Sequence, residues 1–173
     1  MKTQTKWLTF LQDLASDFRF HSPATVDEIE KAELSLDVSF PDELKSLLQE
    51  SNGVEGSYGH GLIWSVERIQ KDNLNFRQFP DFKEIYMPFD HLLFFADAGN
   101  GDQFAFGILN GEIRNRDVFV WNHENDSRQW VAPSLDIYFE WWLNGKLKCQ
   151  SPIFYTREKW TNSGMLKGKL AGR

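Results

Sequence analysis

The sequence predicts an α+β fold: a single domain with a mostly antiparallel central sheet, flanked by N-terminal helices and a closing C-terminal helix. Three observations carry this. Apolar residues recur at helical spacing through the first fifty positions; short apolar runs separated by Gly- and Asn-bearing turns follow; and an aromatic helical pattern closes the ordered part. At 173 residues, with 41% hydrophobic and 15% aromatic content, the chain is long and apolar enough to bury a core as one domain.

The first helix is marked by Trp7, Leu11, Leu14, Ala15 and Phe18, with Lys6, Gln12, Asp13 and Asp17 on the other face. Thr25 and Glu28 form a capping-box pair that opens a second helix running to about Leu34. Pro41 marks the start of a third, whose first turn carries Asp42 and Glu43 and whose inner stripe is Leu44, Leu47 and Leu48, stopped by Asn52-Gly53. From Gly61 the pattern changes to G-L-I-W-S, a short strand, and then a short helix or helical turn through S-V-E-R-I-Q-K-D-N. Residues 73–88, with Phe76, Phe79, Phe82 and Tyr86 scattered among charges and prolines, read as irregular.

Three strands follow at His91–Ala96, Gln103–Leu109 and Val118–Trp121. Ser134 then caps L-D-I-Y-F-E-W-W-L-N-G, in which Leu135, Tyr138, Phe139 and Trp142 share a face and Gly145 follows the end. The domain is expected to span residues 1–150, and the small, polar, basic residues 151–173 to form a mobile tail.

The net charge of −6 is uneven. From Arg157 onward five Lys or Arg face one Glu, a local +4 that leaves residues 1–156 at −10. Such a body speaks against nucleic acid as a direct ligand and favours a basic partner. One cysteine, Cys149, excludes an internal disulfide and a thiolate metal cluster. Asp13 and Asp17 interrupt what a signal peptide would need, and no apolar run reaches membrane-spanning length, so the chain reads as cytoplasmic.

The stretch F-F-A-D-A-G-N-G-D-Q-F-A-F, residues 94–106, has the composition of an ion or phosphate loop. Counted from Asp97, however, the third and fifth calcium positions are Gly99 and Gly101 and the twelfth is Ile108, so the ligand oxygens are missing. A phosphate loop needs Lys and a helix after its glycines, where this chain has Asp102 and a strand. The stretch is therefore a strand connection whose glycines take positive φ, with Asp97 and Asp102 left either to bond the turn or to face a basic partner. His21, His60, His91 and His123 lack metal-site spacing, and the cluster His123, Glu124, Asp126 has no partner motif for hydrolysis. Trp141 and Trp142 are adjacent on one helix, so one of them is expected at the surface as an interaction hot spot.

The segment I-E-K-A-E-L-S-L-D-V-S-F-P-D-E-L-K-S-L-L-Q-E-S-N-G-V, residues 29–54, resembles the opening of the SUKH superfamily, founded on the yeast Smi/Knr cell-wall regulators, at Glu33, Phe40-Pro41 and Asn52-Gly53. L-F-F-A-D-A-G-N-G-D-Q-F-A-F resembles its central strand, Gly-Asp turn and strand, while V-F-V-W-N-H-E-N-D and V-A-P-S-L-D-I-Y-F-E-W-W-L resemble the next strand and the lead into the closing helix. Together they cover most of residues 25–144; the first helix, the Phe-rich stretch and the basic tail depart from the pattern. The resemblance implies the same α+β fold, no catalytic, cofactor-binding or metal-ligating residues, and, for many bacterial members, immunity: stoichiometric binding of a cognate toxin protein, often a nuclease. The expected contact residues are Glu55, Asp97, Asp102, Glu112, Glu124, Asp126, Trp141 and Trp142. Two alternatives stand beside it, a scaffold or regulatory module of the same fold without a toxin, and a metal-dependent hydrolase using His123, Glu124 and Asp126.

Overall fold

The computed structural model describes residues 6–147. The elements run α1 (Lys6–Leu14), β1 (Arg19–Phe20), α2 (Val26–Leu36), α3 (Asp42–Glu50), β2 (Val54–Glu55), β3 (Gly61–Ile63), α4 (Val66–Gln78), α5 (Pro80–Ile85), β4 (Leu92–Asp97), β5 (Gln103–Gly107), β6 (Val118–Trp121), β7 (Arg128–Ala132) and α6 (Leu135–Leu143). This is the expected α+β domain, with all strand pairs antiparallel, but its sheet is divided: β1-β2-β3 form a small sheet and β4-β5-β6-β7 the main one. The proposed basic tail, residues 151–173, and Cys149 lie outside the described residues.

The capping box acts as read, while the first helix ends at Leu14 and leaves Ala15 and Phe18 beyond it. Thr25 accepts from the Glu28 N–H and Glu28 accepts from the Thr25 N–H, closing the capping box, and these bonds hold the Glu28 carboxyl below its usual pKa. The helix runs two residues beyond Leu34, to Leu36, because Asp37 takes the left-handed conformation at φ 53° and ends it. Glu50 of α3 caps α1 from outside, its carboxylate accepting from the backbone N–H groups of Lys6, Trp7 and Leu8. Glu33 closes the α2–α3 junction, accepting from the Phe40 N–H and pairing with Lys45.

The irregular reading of residues 73–88 is overturned: α4 continues through Gln78 and α5 occupies Pro80–Ile85. The inner face of α4 is Val66, Ile69 and Asn73, and the one polar residue among them hid the helical period. Asn73 is fully buried. Its amide donates to the carbonyls of Ile69 and Phe94 and accepts from the Phe94 N–H, each at 2.8 Å. Phe94 lies at a register shift on β4, the edge strand of the main sheet, so the Asn73 side chain stands where a neighbouring strand would be. One residue on, the Phe95 carbonyl accepts from the Trp64 N–H, which joins the small sheet to the same edge.

The main sheet is covered on both sides. Phe76, Phe82, Tyr86, Phe89, Phe94 and Trp121 form one continuous aromatic cluster, and α6 packs Tyr138 and Trp142 on Phe104, with Tyr138 also on Phe95. Ser134 caps α6 by position, yet its hydroxyl donates to the Asp136 carboxylate and makes no cap bond to the helix backbone.

Replacing Asn73 by Ala strips both polar groups of Phe94 of their partners inside the core. The expected loss is about 2–5 kcal/mol, read as a lower urea midpoint by tryptophan fluorescence; a loss under about 0.5 kcal/mol would show that water or a shifted strand replaces the amide.

Candidate functional site

Antiparallel pairing brings the β4–β5 and β6–β7 connections to the same end of the main sheet, so residues 98–102 and 122–127 lie side by side. The bond between them is the Asp102 carboxylate. It accepts from the His123 N–H at 3.1 Å and the Asn100 amide at 3.1 Å, and Oδ1 lies 2.8 Å from His123 Nδ1. The Asn122 amide also faces it, at 3.5 Å. Only 1% of Asp102 is exposed, so its place at the partner surface is corrected: the carboxylate is buried and holds the two turns together.

Gly101 is required at its position. Its φ is +103°, and a Cβ would come within 2.9 Å of the His123 ring. Gly99, at φ +79°, likewise gives its space to the His60 imidazole. The glycines of the turn thus make room for two histidine rings, a close approach that the expectation of turn geometry alone did not contain.

Asp97 and Asp126 are also engaged inside the fold. Asp97 accepts from Trp64 Nε1 at 3.0 Å and pairs at 3.1 Å with Arg68, whose guanidinium lies 4.3 Å from the Trp64 ring centroid. Asp126, in the left-handed region at φ 58°, accepts from Trp121 Nε1, the Met87 N–H and Arg128, and so pins the segment after α5 to the β6–β7 turn. The Tyr86 hydroxyl adds a bond to the His123 carbonyl. Of the acids at this end Glu124 is exposed.

The other expected contact residues lie apart. Glu55, on β2, pairs with Arg19 and His21. Glu112 pairs with Arg114 beyond the far end of β5, across the sheet from Asp102. Neither Trp141 nor Trp142 is fully exposed: Trp142 packs on Phe104 and Tyr138, and Trp141 meets Trp130 edge-on at 6.1 Å. Among the described residues the exposed tryptophan is Trp130, on β7, with half its surface free.

His123, Glu124 and Asp126 do not converge on one point: His123 is turned to Asp102, Asp126 to Trp121 and Arg128, and Glu124 to solvent. Among the described residues, no three His, Cys, Asp or Glu side chains come together as a metal set. A cleft of about 430 Å³ opens at the other end of the sheet beside Arg77, His91 and Asn110. Arg77 donates there to the carbonyls of Leu36 and Leu92, and burial lowers the pKa of His91.

Two layers of helix over an antiparallel sheet, with tightly bonded turns at one end, define an α+β domain whose polar residues serve architecture first. The chain belongs to the SUKH_6 family, described as SMI1-KNR4 cell-wall, whose model matches residues 26–139, from the first residue of α2 into α6. The match passes through the Phe-rich stretch and leaves α1 outside. No curated protein matches the chain. No helix of the described residues is long and apolar enough to cross a membrane.

Asp102→Ala should cost about 2–4 kcal/mol, because it leaves the His123 N–H and its neighbours unpaired beneath the turns. Gly101→Ala should cost about 1–3 kcal/mol through its positive φ and the His123 ring. Thermal unfolding checks both, and an unchanged midpoint for Asp102→Ala would remove its structural role.

Proposed function

We propose that the chain is a cytoplasmic immunity protein that neutralises a cognate toxin of the nuclease type by stoichiometric binding, with no catalysis of its own. The observation that carries the reading is the pair of turns held together by buried Asp102, a surface ordered before any partner arrives and edged by Glu124. Family membership supports it, as does a charge of −10 over residues 1–156, which draws a basic partner and speeds its encounter. A toxin that grips nucleic acid has a basic face, and an acidic body laid over that face blocks the substrate.

The acids that meet the toxin are those not consumed by the fold. Reversing Asp97 and Asp102 would therefore report on folding, and Glu124 is the position that reports on association.

Where a neighbouring gene encodes a nuclease-like candidate toxin domain, co-expression with this chain should restore growth, and failure to do so would favour a regulatory module of the same fold. Glu124→Lys should slow association with that domain about threefold to tenfold and flatten its salt dependence. An on-rate equal to wild type at low salt would place the contact elsewhere.

A further inference from the structure

We infer that α5 and the residues after it form a docking strip for a basic protein surface with an apolar centre. The inference rests on the immunity reading only for the partner's identity. The strip consists of Phe79, 41% exposed, Ile85, 68% exposed, and Met87, 57% exposed. Tyr86, extended and turned into the aromatic cluster, stands between Ile85 and Met87, so these two face outward together, with Phe79 one helix length away, about 9 Å, at the start of α5.

The strip rests on an ordered frame. Phe79 packs edge-on against Phe82 at 5.1 Å, and Phe82 stacks on Phe76 at 5.3 Å, inside the aromatic cluster. The Met87 backbone is clamped on both sides, its N–H by Asp126 at 2.8 Å and its carbonyl by Arg128 at 2.9 Å. Little backbone entropy remains to be lost at Met87 on binding, which distinguishes the strip from apolar residues on a moving loop. Large apolar side chains held at a surface in this way mark interaction sites, and Met and Phe are enriched in interface centres.

The rim selects the partner. Asp81, Glu84 and Glu124 are exposed around the strip against Lys83. An anionic lipid surface would be repelled by that rim. A second copy would bring the same acids and a net charge of −6 against itself. A protein face with an apolar centre ringed by Lys and Arg fits both parts. The clamp through Asp126 makes the strip continuous with the turn that carries Glu124, so both belong to one surface.

The test has two arms on the full chain. In the first, a synthetic amphipathic helix of Leu and Lys is titrated into labelled protein. Amide shifts should gather at residues 79–87 and Glu124 and fade with salt; shifts elsewhere, or none, count against the strip. In the second, Ile85→Ser/Met87→Ser should weaken binding of the neighbouring-gene toxin domain about 100-fold, while Leu34→Ser, at a more exposed apolar site on α2, leaves it unchanged. Unchanged toxin affinity in the double variant overturns the inference and leaves immunity standing. Where the wild type binds no toxin, the immunity reading fails and the peptide arm alone decides the strip. A concentration-dependent dimer that the double variant abolishes assigns the strip to a second copy and also overturns it. Should the pair of substitutions unfold the protein, Met87→Lys alone is read in the same assays.

Discussion

The fold depends on how the outer strand of its main sheet is satisfied. Strand β4 is buried on both faces yet has a partner strand on one side only, β5. A buried strand edge left open costs on the order of 1–3 kcal/mol for each unpaired backbone group. Asn73 removes that cost at Phe94 by presenting, from a helix, the donor and acceptor that a strand would supply. Trp64 does the same for the Phe95 carbonyl with its backbone. Helix α4 and the small sheet are therefore fixed along β4 by polar bonds as well as by apolar contact, and the aromatic cluster between α4, α5 and the main sheet forms on a surface already set.

Legibility in the sequence follows from this division of labour. Wherever local chemistry decides the structure, the sequence displays it: the Thr25–Glu28 capping box, the Leu44, Leu47 and Leu48 stripe, the Gly145 stop, and the apolar run that gives β5. What was hidden depends on distant partners. Asn73 interrupts an apolar period because its partner is a strand 21 residues away. β1, β2 and β7 are short or half-polar and exist because a neighbour pairs with them, so no pattern within Arg19–Phe20 or Val54–Glu55 declares a strand.

The candidate site shows the same limit in its charges. Sequence composition gives how many acids there are, and cannot say which have been used. Asp97, Asp102 and Asp126 look alike in the string, but each is taken up by a tryptophan, an arginine or a turn backbone, and Glu124 is left facing solvent. One signal was present: D-A-G-N-G-D places two acids beside glycines, and a carboxylate next to a positive-φ turn is more often bonded to that turn than offered outward.

These internal bonds also explain why the exposed apolar residues lie where they do. Anchoring two turns and the segment after α5 takes up Asp97, Asp102 and Asp126, and the order of that segment is imposed from beneath, by Asp126, Arg128 and the Phe82 stack. A surface stiffened from below is free to carry Ile85 and Met87 outward without disordering. Burial of polar groups and exposure of apolar ones, which separately look like departures from good packing, are here two sides of one construction. Asp97, Asp102 and Asp126, expected from the sequence at the partner surface, hold the platform, and the aromatic stretch expected to be irregular carries the proposed contact.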